Sequence, residues 1–336
     1  MKILVLHCGG TISCEEINGA LTPSLDIVPE FAAIKTQLST VSFHHRRITP
    51  SLSEYLNGTH ITRIVKEVKK ALSSEKYGGV IVTHGSDTVA YTSAALGYSF
   101  GNNCAPIVTV CADLPLSHPL SSGHVNLRAA AALIAYGGVK GVFSVYRESE
   151  STAFVHRATR LLRHRAHEVP LTSCGEPFGR IDLTASESCM LIRSQLYSEA
   201  FDGIETLRAN LKRSSPVIHI SVYPGMKYPS LPRGCAAVIL GSYHSGTIDT
   251  ASPELTRFAK RCKRSNIPIF VDGTGATTDY ESMLAYTQLG ILRLPPLTSP
   301  VAMYMKLWML AENKVSSFAG AIGRSLGGDI PLKTKP

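Results

Sequence analysis

A two-domain α/β protein, with a mostly parallel, helix-flanked sheet in the first domain and a smaller α/β unit in the second, is predicted by three observations. Short Val/Ile-rich segments at 2–6, 80–82, 107–110 and 141–145 alternate with helical stretches at 61–72 and 126–135, the pattern of βαβ units. The same alternation restarts at 217–220, 236–240 and 267–271, beyond the polar run Asn210-Leu211-Lys212-Arg213-Ser214-Ser215-Pro216. The length, 336 residues, exceeds what one hydrophobic core usually serves. The expected division is a first domain over 1–190, a linker over 191–215 and a second domain over 216–336.

The first strand justifies most of the functional reading. MKILVLHCGGTI runs from apolar residues 3–6 into Gly9-Gly10 and then Thr11. Buried parallel strands read as such apolar runs, and ligand sites in open α/β sheets lie at their carboxyl ends. Two glycines permit backbone angles closed to other residues and let a ligand approach the chain. Alone, Gly-Gly-Thr is also what a tight strand-to-helix turn looks like. A second segment repeats the design: Gly78-Gly79-Val80-Ile81-Val82 ends in Thr83-His84-Gly85-Ser86-Asp87-Thr88, placing a second hydroxyl beside a carboxylate. The small residues of Val89-Ala90-Tyr91-Thr92-Ser93-Ala94-Ala95-Leu96 predict a helix packed close to the sheet. Asp87 alone could be a helix cap; two strand-end hydroxyl loops in one domain favour a site.

These segments resemble the signatures of the L-asparaginase/glutaminase family, whose members use threonine nucleophiles. The likeness continues through Thr49-Pro50-Ser51, through the segments from Pro106 to Pro115 and from Val125 to Ala130, and into the second half at Val238 to Gly246 and Lys306-Leu307-Trp308. Each motif is weak singly; their order and spacing carry the assignment. The resemblance implies Thr11, Ser86, Asp87 and Arg160 as catalytic positions and Gly10, Ser51, Gly85, Ala112 and Asp113 as substrate-binding ones. It implies no cofactor and no metal, a small amide or amino-acid substrate, and a homodimer or homotetramer whose site is completed near a neighbour's second domain around 242–246.

Departures from the family pattern fall on the chemistry. Ser86 stands for the second threonine and keeps its hydroxyl. Arg160, in Val155-His156-Arg157-Ala158-Thr159-Arg160, stands for the lysine that partners the Thr-Asp pair. A guanidinium keeps its proton, so Arg160 is expected to hold Asp87 or a substrate anion, not to act as a base. Ala20 replaces the tyrosine of the flexible loop, and Val301 stands where a glutamate is expected. Asp113, in a loop usually apolar, replaces a lost charge, recognises another substrate group, or bends a surface loop. The functional reading is therefore an amidohydrolase with Thr11 as nucleophile and an altered site. Its alternatives are recruitment to another acyl-transfer or biosynthetic reaction, and an amino-acid-binding homologue without catalysis.

Composition bounds the rest. Hydrophobic residues at 44% and charged residues at 18% suit a compact domain protein. No apolar run reaches the ~20 residues of a membrane span, and Met1 leads straight into the first strand, so a cytoplasmic protein is expected. Eight cysteines without CxxC spacing read as reduced thiols, Cys8 included. The net charge of +9 gathers at His44-His45-Arg46-Arg47 and from Arg157 to Arg165. No aromatic residues alternate with these cations, so no nucleic-acid partner is expected, and a field that draws anionic substrates explains the charge more simply. His84 is expected to serve structure, and Asp272-Gly273-Thr274-Gly275 to turn the chain after a strand.

Overall fold

The fold is described from a computed structural model, covering residues 1–23, 26–48, 52–164, 169–184, 189–200, 206–273 and 279–332. The first layer system contains β1 (Lys2–His7), the hairpin β2 (Cys14–Ile17) and β3 (Ala20–Pro23), α1 (Val28–Gln37), β4 (Ser42–Arg47), α2 (Gly58–Leu72), β5 (Gly79–Thr83), α3 (Val89–Phe100), β6 (Ile107–Val110), α4 (Ser122–Tyr136), β7 (Val142–Arg147), β8 (Thr152–Arg157), β9 (Gly179–Asp182) and β10 (Met190–Arg193). Eight of these strands form one sheet in the order β10-β9-β8-β7-β6-β5-β1-β4. From β4 to β7 every pairing is parallel; β8, β9 and β10 extend that edge antiparallel. The mostly parallel sheet expected from the apolar runs is present, and Ile3 to Leu6 are fully buried, as a strand covered on both faces requires.

Local sequence explains the flanking helices. On α2, Ile61, Ile64, Val65 and Val68 recur on one face and are buried, and the Asn57 side chain caps the start by accepting from Thr59 N and His60 N. On α3, small residues allow close approach: a Cβ on Gly97 would lie 2.4 Å from Thr159 Cγ2, so the helix can pack against the Ala158–Arg160 turn only with glycine there.

A second, four-stranded parallel sheet has the order β11-β12-β13-β14, built from β11 (Val217–Ser221), β12 (Ala237–Gly241), β13 (Ile269–Val271) and β14 (Ile291–Arg293), with α5 (Pro253–Arg264) and α6 (Glu281–Leu289) between them. The final long helix, α7 (Pro300–Glu312), is apolar nearly all round and fully buried at Met303, Met305, Leu307 and Met309. It belongs to one continuous core with Leu96 and Tyr98 of α3 and with Val217, Ala237 and Ile239 of the second sheet. One face of β11 and β12 therefore shares its core with the first sheet's helices. Inside this core Lys306 Nζ donates to Asp329 Oδ2 at 2.8 Å and to the carbonyls of Ile322 and Arg324, while Tyr98 OH and Leu326 N also donate to Asp329. A buried amine is tolerable only with such a full set of acceptors.

Among the described residues no helix is long and apolar enough to cross a membrane, and no group of three or more His, Cys, Asp or Glu is arranged to hold a metal ion.

Two buried histidines make stability depend on pH. Burial, with smaller contributions from His45 and Arg47, pushes His7 from 6.5 down to about 4, and burial alone does the same to His156. Unfolded, each ring protonates near 6.5; folded, only near about 4. Between these values the unfolded chain binds more protons, so stability is complete above about 6.5 and falls as pH is lowered towards 4, by about 3 kcal/mol per ring. Urea unfolding at pH 7.5 and 4.5 should show the loss, and His156→Gln should reduce it; an unchanged difference in that variant contradicts the assignment.

Candidate functional site

The two hydroxyl loops are neighbours because their strands are. β1 and β5 pair in parallel with His7 opposite Thr83, so Cys8–Thr11 and His84–Asp87 leave the same edge side by side. Gly10 adopts φ 84° and ψ 173°, a region essentially open to glycine alone. A Cβ on Gly10 would lie 2.3 Å from both Cα and N of Gly85, and one on Gly85 would lie 2.4 Å from Ser53 Cβ. Three backbone segments thus meet where no side chain fits. Thr11 and Ser86 follow those glycines directly, and among the described residues neither hydroxyl has a hydrogen-bond partner.

Around them the polar groups are ordered. Ser53 Oγ donates to Asp87 Oδ2 at 2.9 Å, and Thr88 Oγ1 donates to Ser53 O at 3.1 Å, which ties the segment before α2 to the Asp87 loop. Sequence reasoning placed a substrate-binding serine at Ser51, which lies outside the described residues. Ser53 is the serine that the geometry brings to Asp87. His84 serves structure: Nδ1 faces Gly85 O at 3.0 Å and Nε2 faces Thr92 Oγ1 at 2.8 Å. A carbonyl only accepts, so Nδ1 carries the proton and Nε2 accepts from the hydroxyl. Burial lowers the ring's pKa despite the Gly85 bond, in keeping with a neutral staple.

Ala112 is buried, and its methyl packs against the Gly123 position on α4. Asp113 accepts from Ser122 N at 2.8 Å, Ser122 Oγ at 2.6 Å and Leu114 N at 2.8 Å, with Arg147 at 3.4 Å. Burial works against the charge, yet these hydrogen bonds from Ser122 and Leu114, aided by Arg147, hold the carboxyl below its usual range. Of the three roles open for Asp113, shaping its loop is the one its partners describe. Burial pushes the Cys8 thiol up to about 12, and its sulfur donates to Leu6 O, so it is no nucleophile. Ala20 begins β3, opposite Ile17 in the exposed hairpin.

The expected place of Arg160 needs correction. Its guanidinium is buried, donating through Nε to Gly328 O at 2.7 Å and through Nη2 to Ser198 O at 2.5 Å, and it lies over the Tyr197 ring. It does not hold Asp87; it fastens the 194–200 segment and the chain's end to β8. Arg163, three residues on, shares a cavity with Asp87, as does Arg213. The short turn Ala158–Arg160 and the bridge from Leu161 to Ser173 redirect the chain between Arg160 and Arg163.

That cavity, of about 550 Å³, is lined by Asp87, Glu54, Tyr91, Arg163, Arg213 and Trp308 among others. A second, of about 830 Å³, shares Tyr91, Arg163, His164 and Tyr304 with it and reaches the carboxyl ends of β11 to β13 at Ser221, Ser242 and Asp272. There Asp272 Oδ1 accepts from Ser242 N at 2.7 Å and Oδ2 stands 3.7 Å from His219 Nε2. The expected turn after β13 begins with Asp272-Gly273, while Thr274 and Gly275 lie outside the described residues. Val301, where a glutamate was expected, lines the same cavity. His164 Nε2 meets Val169 O at 2.6 Å, so that nitrogen is the donor, and the Tyr146 ring braces the imidazole edge-on at 6.0 Å. Two uncommitted hydroxyls next to a positioned carboxylate, with an imidazole in the cavity that this carboxylate lines, are components that acyl transfer through an oxygen nucleophile uses.

Comparison with known proteins agrees with this fold. The family model "Asparaginase, N-terminal" matches residues 2–173, just over half of the chain. A glutamyl-tRNA(Gln) amidotransferase subunit of Sulfolobus acidocaldarius is 24% identical over 98% of this chain and 75% of its own length; its namesake in Metallosphaera sedula is 26% identical over 93% and 72%. Among solved structures, the thermostable L-asparaginase from Thermococcus kodakarensis superimposes with a TM-score of 0.79 at 20% identity, covering 98% of this chain and 99% of that one. L-asparaginase I from Vibrio cholerae gives 0.75 at 20%, with the same coverage. Those likenesses show the fold; the family match, spanning both hydroxyl loops, shows more. The chain belongs to the asparaginase family of amidohydrolases.

Proposed function

We propose that the chain cleaves a carboxamide through Thr11 in the service of a biosynthetic transfer reaction. The observation that supports the cleavage is the contact of Gly10 with Gly85, which brings together the backbones that lead into Thr11 and Ser86, whose hydroxyls are unbonded among the described residues. The biosynthetic setting is supported by relatives matched along nearly the whole chain that are named as parts of an amidotransferase. It displaces simple asparagine breakdown as the leading reading.

In the proposed reaction Thr11 Oγ attacks the carboxamide carbon and forms a C–O bond. Backbone N–H groups of the glycine loops stabilise the oxyanion. The C–N bond then breaks, ammonia leaves with the proton taken from Thr11, and water hydrolyses the ester to the acid and restores the hydroxyl. Ser86 and Asp87 position substrate and water, and Ser53 fixes Asp87. Arg163 cannot accept a proton, so His164, which lines the same cavity as Asp87 and whose Nε2 is turned to Val169 O, is assigned that role.

Ammonia release should be measured over asparagine, glutamine and amides at peptide N-termini. Thr11→Ala should lose at least ~10³-fold in turnover, whereas Cys8→Ala keeps most of it. Turnover surviving in Thr11→Ala contradicts the mechanism, and tight binding of the acids with no release from any amide supports a binding protein instead.

The two arginines give a second test. Arg163→Lys puts a group able to shuttle a proton into the cavity that Asp87 lines and should raise turnover of free asparagine. Arg160→Lys should leave turnover no higher and lower stability by about 2 kcal/mol, because the buried fork loses a charge-assisted bond. A rise with Arg160→Lys and none with Arg163→Lys reverses the assignment.

A further inference from the structure

The cavity beside Asp87 is larger than a free amino-acid amide needs. At about 550 Å³ it falls within the range that holds drug-sized ligands. Charged groups of both signs line it. Asp87 and Glu54 line it, and so do Arg163 and Arg213, yet among the described residues neither arginine makes an ion pair with either carboxylate or with any other group. An aromatic wall shares the lining: Tyr91 meets Tyr304 edge-on at 6.0 Å, and Tyr304 meets Trp308 at 6.0 Å. Trp308 is 5% exposed and its Nε1 donor is buried without an acceptor, an uncommon state that a ligand oxygen would relieve. Arg213 is anchored at this wall, since its carbonyl accepts from Gly58 N at the start of α2.

We propose that this cavity seats an anionic extension of the amide substrate. The substrate keeps a free amino group, held by Asp87 and Glu54, and its α-carboxyl is joined to a further unit bearing a carboxylate or phosphate. Arg213 and Arg163 grip that anion, because a guanidinium fork matches either group in two-point contact. The aromatic wall carries the body of the unit, and Trp308 Nε1 donates to one of its oxygens. The proposal rests on the amidase reading and deepens it: Arg163 serves the substrate's far end, and the smallest amides are poor substrates because they leave both arginines unpaired.

The test compares ammonia release from asparagine, Asn-Gly, Asn-Asp and Asn-phosphoserine, together with calorimetric binding of the product dipeptides Asp-Gly, Asp-Asp and Asp-phosphoserine. At least one anionic dipeptide should exceed Asn-Gly in kcat/KM by about tenfold, the equivalent of one charge-assisted hydrogen bond. The better of Asn-Asp and Asn-phosphoserine identifies the anion as carboxylate or phosphate. Arg213→Gln should erase most of the preference, mainly through KM, and Arg213→Lys should restore part of it. The binding arm needs no turnover. Preferential binding of the anionic products without ammonia release from any amide upholds the cavity assignment and overturns the amidase reading. Release from asparagine and Asn-Gly at rates equal to the anionic dipeptides, or a preference untouched by Arg213→Gln, overturns the cavity assignment and leaves the amidase reading in place.

Discussion

The contact between the backbones of Gly10 and Gly85 decides what the rest of the molecule can do. Parallel pairing of β1 with β5 brings the two loops to one sheet edge, but pairing alone leaves them a strand spacing apart, ~4.8 Å at the last rung. Closing that gap needs two residues without side chains, one of them in a backbone region that L residues avoid. Ser53 fills the third side, and its bond to Asp87 turns the carboxylate into a fixed part of the same surface. The stiffness behind this surface comes from β1 and β5, buried on both faces, and from the neutral His84 staple.

Behind the site, positive charge has been divided between two tasks. Arg157 and Arg160 are buried and committed: Arg157 pairs with Glu199, and Arg160 caps two carbonyls. Together with Lys306 and Asp329 they lock the segments after β10 and after α7 onto the first sheet's helices. Arg163, three residues beyond Arg160, and Arg213, just before the second sheet, line a cavity instead. A basic overall charge therefore tells little by itself; the informative quantity is which cations lack any acceptor within the protein.

Much of this was legible in the chain. Apolar runs ending in glycine and hydroxyl residues marked the strands and the loops, and the small residues of α3 foretold its close packing. Three features were not legible for physical reasons. Ser53 stands in a short polar segment before α2, where periodicity gives no clue that its hydroxyl meets Asp87. The choice between Arg160 and Arg163 turns on a three-residue helical turn and one bridge after β8, and a redirected chain leaves no pattern in composition. The Tyr91-Tyr304-Trp308 wall draws on helices more than 200 residues apart, so no local spacing could reveal it. The hydroxyl positions came from residues that need special backbone angles, and such residues speak more clearly than charged ones.

The central claim is that two loops are held together by a space reserved for glycine. It is tested most directly by Gly10→Ala, with Gly290→Ala as the control, since Gly290 also has a positive φ but nothing within 4 Å of an added Cβ. The quantity to measure is ammonia release from the best amide substrate in variants that still unfold cooperatively. The account predicts that Gly10→Ala loses nearly all turnover while Gly290→Ala keeps it. Gly10→Ala turning over at the unmodified rate would contradict it.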